Sequence, residues 1–353
     1  MGQTVTHQEL ERFGIALLEA VGTPTPFARE VARNLVFGNL RGVDSHGIRL
    51  LLYYLDHIRH GLIIPTALGE PLHEFAAICA YDAAFGLGAA TSAECCAIAN
   101  RLASTHGVGV VTARRANHFG AAAFWARRMA DAGHIGIAFC NASTIVAPWQ
   151  SKEPRFGTNP ICMAVPGPYE DSFLLDMATT TVAANRIFKA FQNNEPSIPA
   201  GWAADKDGRP TTDTKEAYSG LVAPLGGYKG TGLAVMVEIL TSVLSGGAMG
   251  AEIGGIRFTE KPLSVSHFFL AIDVRRFLPA DEFEARMARL VAELRSAAPA
   301  VGYDEVLVAG DPEIRIELDR RVHGIPFSDA DLAALHEAAE TLGIEPLQLN
   351  HAR

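Results

Sequence analysis

Two short segments place a histidine where proton transfer is chemically feasible. Asp44-Ser45-His46-Gly47 stands before an apolar helical period, and Asn117-His118-Phe119-Gly120 follows the strand-like run Val108 to Thr112. Histidine gives or takes a proton near neutral pH, and loops at strand ends are where α/β folds place their sites. The two imidazoles read as an acid/base pair, ahead of two metal ligands, because neither segment carries an HxH or HxxxH companion. Ser45 joins them as a candidate catalytic hydroxyl, although no GxSxG elbow surrounds it to make it a nucleophile. His46 is expected in the first turn of a helix, where the positive end of the dipole disfavours an imidazolium. The plainer alternative is that Asp44 and Ser45 merely cap that helix and His46 is a surface residue.

Three further segments offer polar groups to a ligand. Phe156-Gly157-Thr158-Asn159-Pro160 is a turn with a polar amide, and Leu175-Asp176-Met177-Ala178-Thr179-Thr180-Thr181 ends a strand with a carboxylate and three hydroxyls. Asp176 is placed either to orient a histidine or to cap the helix that follows, and the threonines to hold a phosphate or ribose. Gly226-Gly227-Tyr228-Lys229-Gly230-Thr231-Gly232 combines close-approach glycines, a helix start and a lysine, a combination suited to an anion or simply to a tight turn before a buried helix. Gly86 to Thr91 and Gly107 to Thr112 both lack the third glycine of GxGxxG, and no segment fits GxxxxGK[ST]. A Rossmann phosphate loop and a Walker site are therefore not expected.

The elements that must position these groups are partly visible. Helical periods run from His7 to Val21, with Thr4 or Thr6 as cap, from Thr25 to Leu40, and from Ile48 to Ile58. From Ala76 onward, strand-like Val108 to Thr112, Ile135 to Cys140, Ile161 to Val165 and Phe173 to Leu175 alternate with helical Ala90 to Ser104 and Ala121 to Ala132, an α/β pattern. Pro196 to Pro224 has no clear period and reads as a connection. Helix Gly230 to Leu244, strand Ser264 to Val274 and helices Asp281 to Ala297 and Ser328 to Leu342 complete the chain.

With 353 residues the chain is about twice the roughly 150-residue prior for one domain, so two lobes are expected. Hydrophobic residues at 48% and charged ones at 20% exclude disorder as the dominant state. A net charge of −9 supplies no positive field for a phosphate backbone, so nucleic acid is not an expected partner. Five cysteines without CxxC spacing argue against a disulfide scaffold or a thiolate metal site. Without an apolar leader or an apolar run of about 18 residues, a cytoplasmic protein with no membrane association is expected.

Taken in order, Asp-Ser-His-Gly at 44–47, Asn-His-Phe-Gly at 117–120, Gly-Thr-Asn-Pro at 157–160, Asp-Met-Ala-Thr-Thr at 176–180 and Pro-Leu-Gly-Gly-Tyr-Lys-Gly at 224–230 resemble the malate/L-lactate dehydrogenase family of the second, non-Rossmann type. That family also holds ureidoglycolate, sulfolactate and diketogulonate enzymes and reductases of cyclic imino acids. The resemblance implies a cofactor domain with a largely antiparallel sheet over residues 76–275, and a helical domain built from 1–75 and 276–353. It implies NAD or NADP as cofactor and a homodimer with the site near the subunit interface. The chemistry implied is hydride transfer between the nicotinamide and C2 of a small 2-hydroxy or 2-oxo acid.

By matching motif, His46 is the proton donor or acceptor and His118 lines nicotinamide and substrate, with the base role in some members. Asp176, Met177, Ala178, Thr179, Thr180, Tyr228 and Lys229 face the cofactor, as do Asp311 and Glu313 in the late turn Gly310-Asp311-Pro312-Glu313. Arg49, Asn117 and Thr158 are the implied substrate ligands. Many relatives place an arginine four residues after the histidine; here that position is Leu50, and Arg49 comes one place earlier, about 100° away on a helix. The substrate is accordingly open between a 2-oxo acid and a cyclic imino acid. An inactive binding homologue and a metal-dependent hydrolase are the other readings.

Overall fold

The computed structural model describes residues 3–167 and 173–350. Strand β1 (Gln3–Val5) leads into helix α1 (His7–Ala20), whose Thr6 hydroxyl accepts the Glu9 N–H at 3.2 Å, and Leu10, Phe13, Leu17 and Leu18 form its buried face. Helix α2 (Thr25–Leu40) carries Pro26 in its first turn, where no N–H is needed, and packs on α1. Helix α3 (Leu50–Arg59) follows after a separate 3₁₀ turn, Asp44–His46.

The sheet begins with β2 (Glu70–Phe75), earlier than the change of pattern expected at Ala76, and β3 (Ile78–Asp82). Helix α4 (Gly88–His106), β4 (Val108–Ala116), α5 (Ala122–Asp131), β5 (His134–Cys140), β6 (Ile161–Val165) and β7 (Phe173–Met177) come next. Helix α6 (Ala184–Gln192) opens an outlying unit. Its β8 (Ala203–Ala204), β9 (Pro210–Thr211), α7 (Thr214–Ser219) and β10 (Leu221–Val222) replace the period-free connection expected between Pro196 and Pro224. Two-residue strands are too short to show alternation, which is why the sequence pattern missed them. Helix α8 (Tyr228–Glu238) runs on into a π-helical turn, Ile239–Val243. The remaining elements are β11 (Val265–Asp273), α9 (Ala280–Arg295), α10 (Asp311–His323), β12 (Ile325–Phe327) and α11 (Asp329–Leu342).

Among the described residues, seven strands form one mixed sheet in the order β2-β3-β4-β11-β5-β6-β7, with only β3 and β4 parallel. That parallel pair is the one joined through a long helix, α4, as a crossover requires. β11 is the central strand and nearly continuously buried, because α4 and α5 cover one face while α8 and its π turn cover the other. Trp125, Tyr81, Phe13 and Phe269 are fully buried in the main core. Both chain ends meet: β12 pairs antiparallel with β1, α11 packs on α1 and α10 on α2.

Two expectations are corrected here. Gly310 to Glu313 is not a turn but the start of α10, with left-handed Gly310 before it and Asp311 and Glu313 in its acidic first turn. His46 lies in the 3₁₀ turn rather than in the first turn of α3, so the dipole argument does not apply to it. Asn39 sets this path: it donates to Asp44 at 2.8 Å and accepts the Ile48 N–H at 2.8 Å, and a Cβ on Gly47 would lie 2.3 Å from its amide nitrogen.

Candidate active site

The two motif histidines come together. Their rings stack at 5.6 Å between centroids, 26° from parallel. Asp44, held by Arg320 at 2.7 and 3.0 Å, fixes the 3₁₀ turn that presents His46, and Ser45 Oγ lies 2.9 Å from His46 Nδ1. His118 leaves the end of β4. Asn117 anchors that loop by donating to the Phe85 and Gly86 carbonyls, both at 2.9 Å, and Asn34 clamps its far side through the Ala121 N–H and carbonyl. Gly120 is obligatory: its φ is +75°, and a Cβ would sit 1.6 Å from Asn34 Oδ1.

The hydrogen bonds assign a tautomer. Gly120 N–H donates to His118 Nδ1 at 3.1 Å, so neutral His118 carries its hydrogen on Nε2. Tyr54, on α3, brings its hydroxyl to the same Nδ1 at 2.6 Å. Burial pushes the Tyr54 phenol well above its usual pKa, so it stays protonated and acts as a donor. Burial, and then the neighbouring His46 and His267, lower His118 to about 3; burial alone lowers His46. Both rings remain half-buried.

Asp176, at the end of β7, contacts no histidine ring. It does not cap the following helix either; its Oδ2 accepts the Ala123 N–H at 3.0 Å, at the start of α5. Burial pushes its pKa up to about 6, against the pull of the Ala123 N–H and of Arg41, while Glu313 adds to the rise. Met177 and Ala178 are half-buried. Thr179 ties its N–H and hydroxyl to the Thr158 carbonyl at 2.9 and 3.0 Å, and Thr180 donates to Val182 O at 2.8 Å. Their hydroxyl oxygens keep lone pairs for a ligand, but their hydrogens are committed to the fold. Tyr228 and Lys229 are exposed in the first turn of α8.

Other positions expected at the site are engaged elsewhere. Arg49 forms an ion pair with Asp331 of α11 at 2.8 Å. Asp311 is buried and receives the Val308 N–H at 2.8 Å and the Arg295 guanidinium at 2.5 Å, so it secures the start of α10.

Two polar residues near this end of the sheet escaped the sequence reading, which named Asn159 only as the polar amide of its turn. Tyr54 is one. His267, wholly buried in β11, stacks on Phe119 at 4.5 Å, and burial lowers it to about 3 against the Asn117 main chain. Asn159 is wholly buried with φ +36°, donates to Ala234 O and Glu238 at 3.1 and 3.0 Å, and leaves Oδ1 without a partner. Positive φ at a buried amide is a hint that sequence alone does not carry. A cavity of about 220 Å³ at Gly133, Val274 and Phe283 lies at the opposite end of β5 and β11 and is unrelated to the histidines. Among the described residues no group of three or more His, Cys, Asp or Glu side chains is disposed to hold a metal.

The arrangement is a pair of half-buried, neutral imidazoles, one with a fixed tautomer, set between the His46 turn, the end of β4 and Tyr54 of α3. Comparison with known proteins gives the chain its family. The profile of the malate/L-lactate dehydrogenase family matches residues 5–336. Malate dehydrogenase of Pyrococcus horikoshii is 34% identical over 351 residues, covering 97% of this chain and 96% of that protein. The solved sulfolactate dehydrogenase of Methanocaldococcus jannaschii superposes with a TM-score of 0.91 at 33% identity, covering 97% and 98%. The delta1-piperideine-2-carboxylate reductase of Pseudomonas syringae superposes with a TM-score of 0.82 at 27% identity, covering 96% and 100%. With its motifs in order and its length matched almost end to end, this chain belongs to the malate/L-lactate dehydrogenase family.

Proposed function

We propose that the protein is an NAD(P)-dependent oxidoreductase moving a hydride between nicotinamide and C2 of a small 2-hydroxy or 2-oxo acid. The observation that carries this reading is the stacked His46 and His118 pair, held neutral in a family of dehydrogenases. Neutral His46, with Ser45 against its Nδ1, takes the substrate hydroxyl proton in oxidation and returns it in reduction. His118 donates from Nε2 to the same oxygen, because its Nδ1 is filled by Gly120 and Tyr54.

The groups present fit a nicotinamide nucleotide. Asn159 Oδ1 is a buried acceptor in want of a donor, which a carboxamide has. The α8 start with Lys229 suits phosphate, and Tyr228 offers an exposed ring. Asn159, Thr179, Thr180, Tyr228 and Lys229 would hold the nucleotide, with Asp176, Met177, Ala178 and Glu313 along its path and Asn117 and Thr158 toward the substrate. When bound, the nicotinamide supplies or accepts the hydride.

Exposed Val235, Ile239 and Val243, four residues apart on α8 and its π turn, give a single chain an uncovered apolar stripe, which supports a homodimer. The five cysteines are free thiols, in keeping with a reducing cytoplasm, and among the described residues no helix is long and apolar enough to cross a membrane. Reduction of a cyclic imino acid is the second reading, supported by the likeness to the Pseudomonas reductase. The test is thermal unfolding with millimolar NADH or NADPH, then oxidation of the stabilising nucleotide by 2-oxo acids and cyclic imino acids. One nucleotide is expected to raise Tm and one substrate class to consume it. A Tm indifferent to both nucleotides overturns the reading.

A further inference from the structure

A guanidinium whose turn is tied to α3 has no part in the chemistry above. Residues 255–258 form a turn closed by Phe258 N–H donating to Gly255 O at 3.1 Å, with Arg257 at its tip. The turn is pinned from three directions. Ser143 Oγ donates to Gly254 O at 2.7 Å, Gly254 N–H donates to Leu263 O at 3.0 Å, and His57 Nε2 lies 3.1 Å from Ile256 O. His57 and Tyr54 are three residues apart on α3, hence on one face and about 5 Å apart along the axis. Tyr54 is the residue whose hydroxyl meets His118, so the turn that carries Arg257 is tied to the same helix face that meets the histidine pair.

From that position the side chain reaches α6, the helix that follows the Thr179 to Thr181 segment. Its guanidinium carbon sits 4.8 Å from the Phe188 ring centroid, and Nη2 donates to Asn185 Oδ1 at 3.2 Å. The side chain is exposed, and among the described residues no carboxylate lies within ion-pairing distance of it. Arg49 and Arg320, the other arginines flanking the His46 turn, are both ion-paired, to Asp331 and Asp44. An aromatic face and a neutral amide orient a guanidinium without neutralising it, and leave most of its five N–H donors for an anion.

We propose that Arg257 is a specificity-determining residue that binds a second acidic group of the substrate, a carboxylate or sulfonate remote from C2; this rests on the hydride-transfer reading. A planar carboxylate receives two parallel N–H bonds from such a fork, a geometry that a lysine does not reproduce. The rigid turn and the Phe188 stack hold the fork in advance, so little rotamer freedom is lost on binding.

The full-length protein, with the reduced nucleotide it prefers, is assayed on oxaloacetate, sulfopyruvate and 2-oxobutyrate. In Arg257→Met, which keeps an apolar stem against Phe188, kcat/KM for the two charged acids relative to 2-oxobutyrate is expected to fall about 100-fold, and Arg257→Lys to recover part of it. An unchanged ratio, or an equal fall on all three acids, overturns the proposal and makes Arg257 a structural pin. Calorimetric binding of malonate against butyrate to wild type and Arg257→Met decides the matter without turnover. Selective loss of malonate supports the proposal, and equal affinities overturn it. Absence of turnover in the wild type with every acid and both nucleotides counts against the hydride-transfer reading, a different failure.

Discussion

Around Glu317, on α10, three guanidiniums converge: Arg41, just past the end of α2, at 3.2 Å, Arg127 of α5 at 3.8 Å and Arg321 of α10 itself at 2.5 Å. The Glu317 and Arg41 side chains are 3% and 2% exposed. Around His118 the partners are a hydroxyl, a main-chain N–H and a second imidazole, none of them charged in the resting state. The first cluster lies between the helical lobe and α5 and balances charge with charge. The second keeps its groups neutral. A compensated ionic cluster locks elements together, whereas poorly solvated groups without a counter-charge are poised to exchange a proton.

This contrast breaks if deletions at the two places have the same consequence. His46→Gln and His118→Asn, made separately, are expected to lower turnover by 10²–10⁴-fold, the usual worth of a positioned acid/base group, roughly 3–5 kcal/mol of barrier. Tm is expected to move by no more than about 2–4 °C, since neither ring carries a charge into the fold. Glu317→Ala inverts the pattern. It removes the buried carboxylate on which Arg41 and Arg127 converge, and a urea titration is expected to show a loss of about 3–5 kcal/mol, with kcat per folded molecule retained. Turnover lost in Glu317→Ala without a shift in the urea midpoint would erase the distinction.

Acid sharpens the comparison. In the fold His118 and His267 sit at about 3, against an ordinary 6.5, so the unfolded chain takes up their protons first. Their contribution is therefore whole above pH 6.5 and drains as pH falls from 6.5 toward 3, by up to about 1.4 kcal/mol per pH unit for each ring. Asp176 works weakly in the opposite sense: raised from 3.8 to about 6 but exposed to solvent, it favours the fold below 3.8 and loses that screened contribution as pH rises through 6. Two imidazoles outweigh one carboxyl, so urea midpoints are expected to fall between pH 6.5 and 4 and to fall less steeply in His118→Asn. An equal slope in wild type and variant would show that His118 is not held neutral by the fold.

The parts of this architecture that sequence announces are the periodic ones. α1, α2 and β6 have the cap, the proline or the apolar run that local rules require, and β6 begins and ends where the pattern places it, at Ile161 and Val165. α10 inverts the usual pattern, burying Asp311 and Glu317 while Ile316, Leu318 and Val322 are exposed, so a search for a buried apolar face passes over it. The turn carrying His46 is decided by Asn39 and by Arg320, the latter close to the other end of the chain, and no local rule sees that far. The motifs placed His46 at a helix start and His118 in a loop after a strand, without showing that they stack. Tyr54 and His267 looked like parts of an apolar helix and strand, because only the fold brings the hydroxyl to Nδ1 and the ring to Phe119.

The smallest expected effect is the most discriminating for the histidine pair. Tyr54→Phe keeps the ring in the core and removes only the hydroxyl 2.6 Å from His118 Nδ1. Gly120 N–H still fills that nitrogen, so the tautomer persists. A donor to the imidazole lone pair favours the neutral form, and its removal lets the His118 pKa climb back toward 6.5. The acidic limb of the kcat/KM profile is then expected to move to higher pH by less than one unit, at a stability cost of about 1 kcal/mol for the lost hydrogen bond. A stability loss without movement of that limb would reduce Tyr54 to packing, and would leave burial and the neighbouring imidazoles to account for the neutrality that separates the histidine pair from the Glu317 cluster.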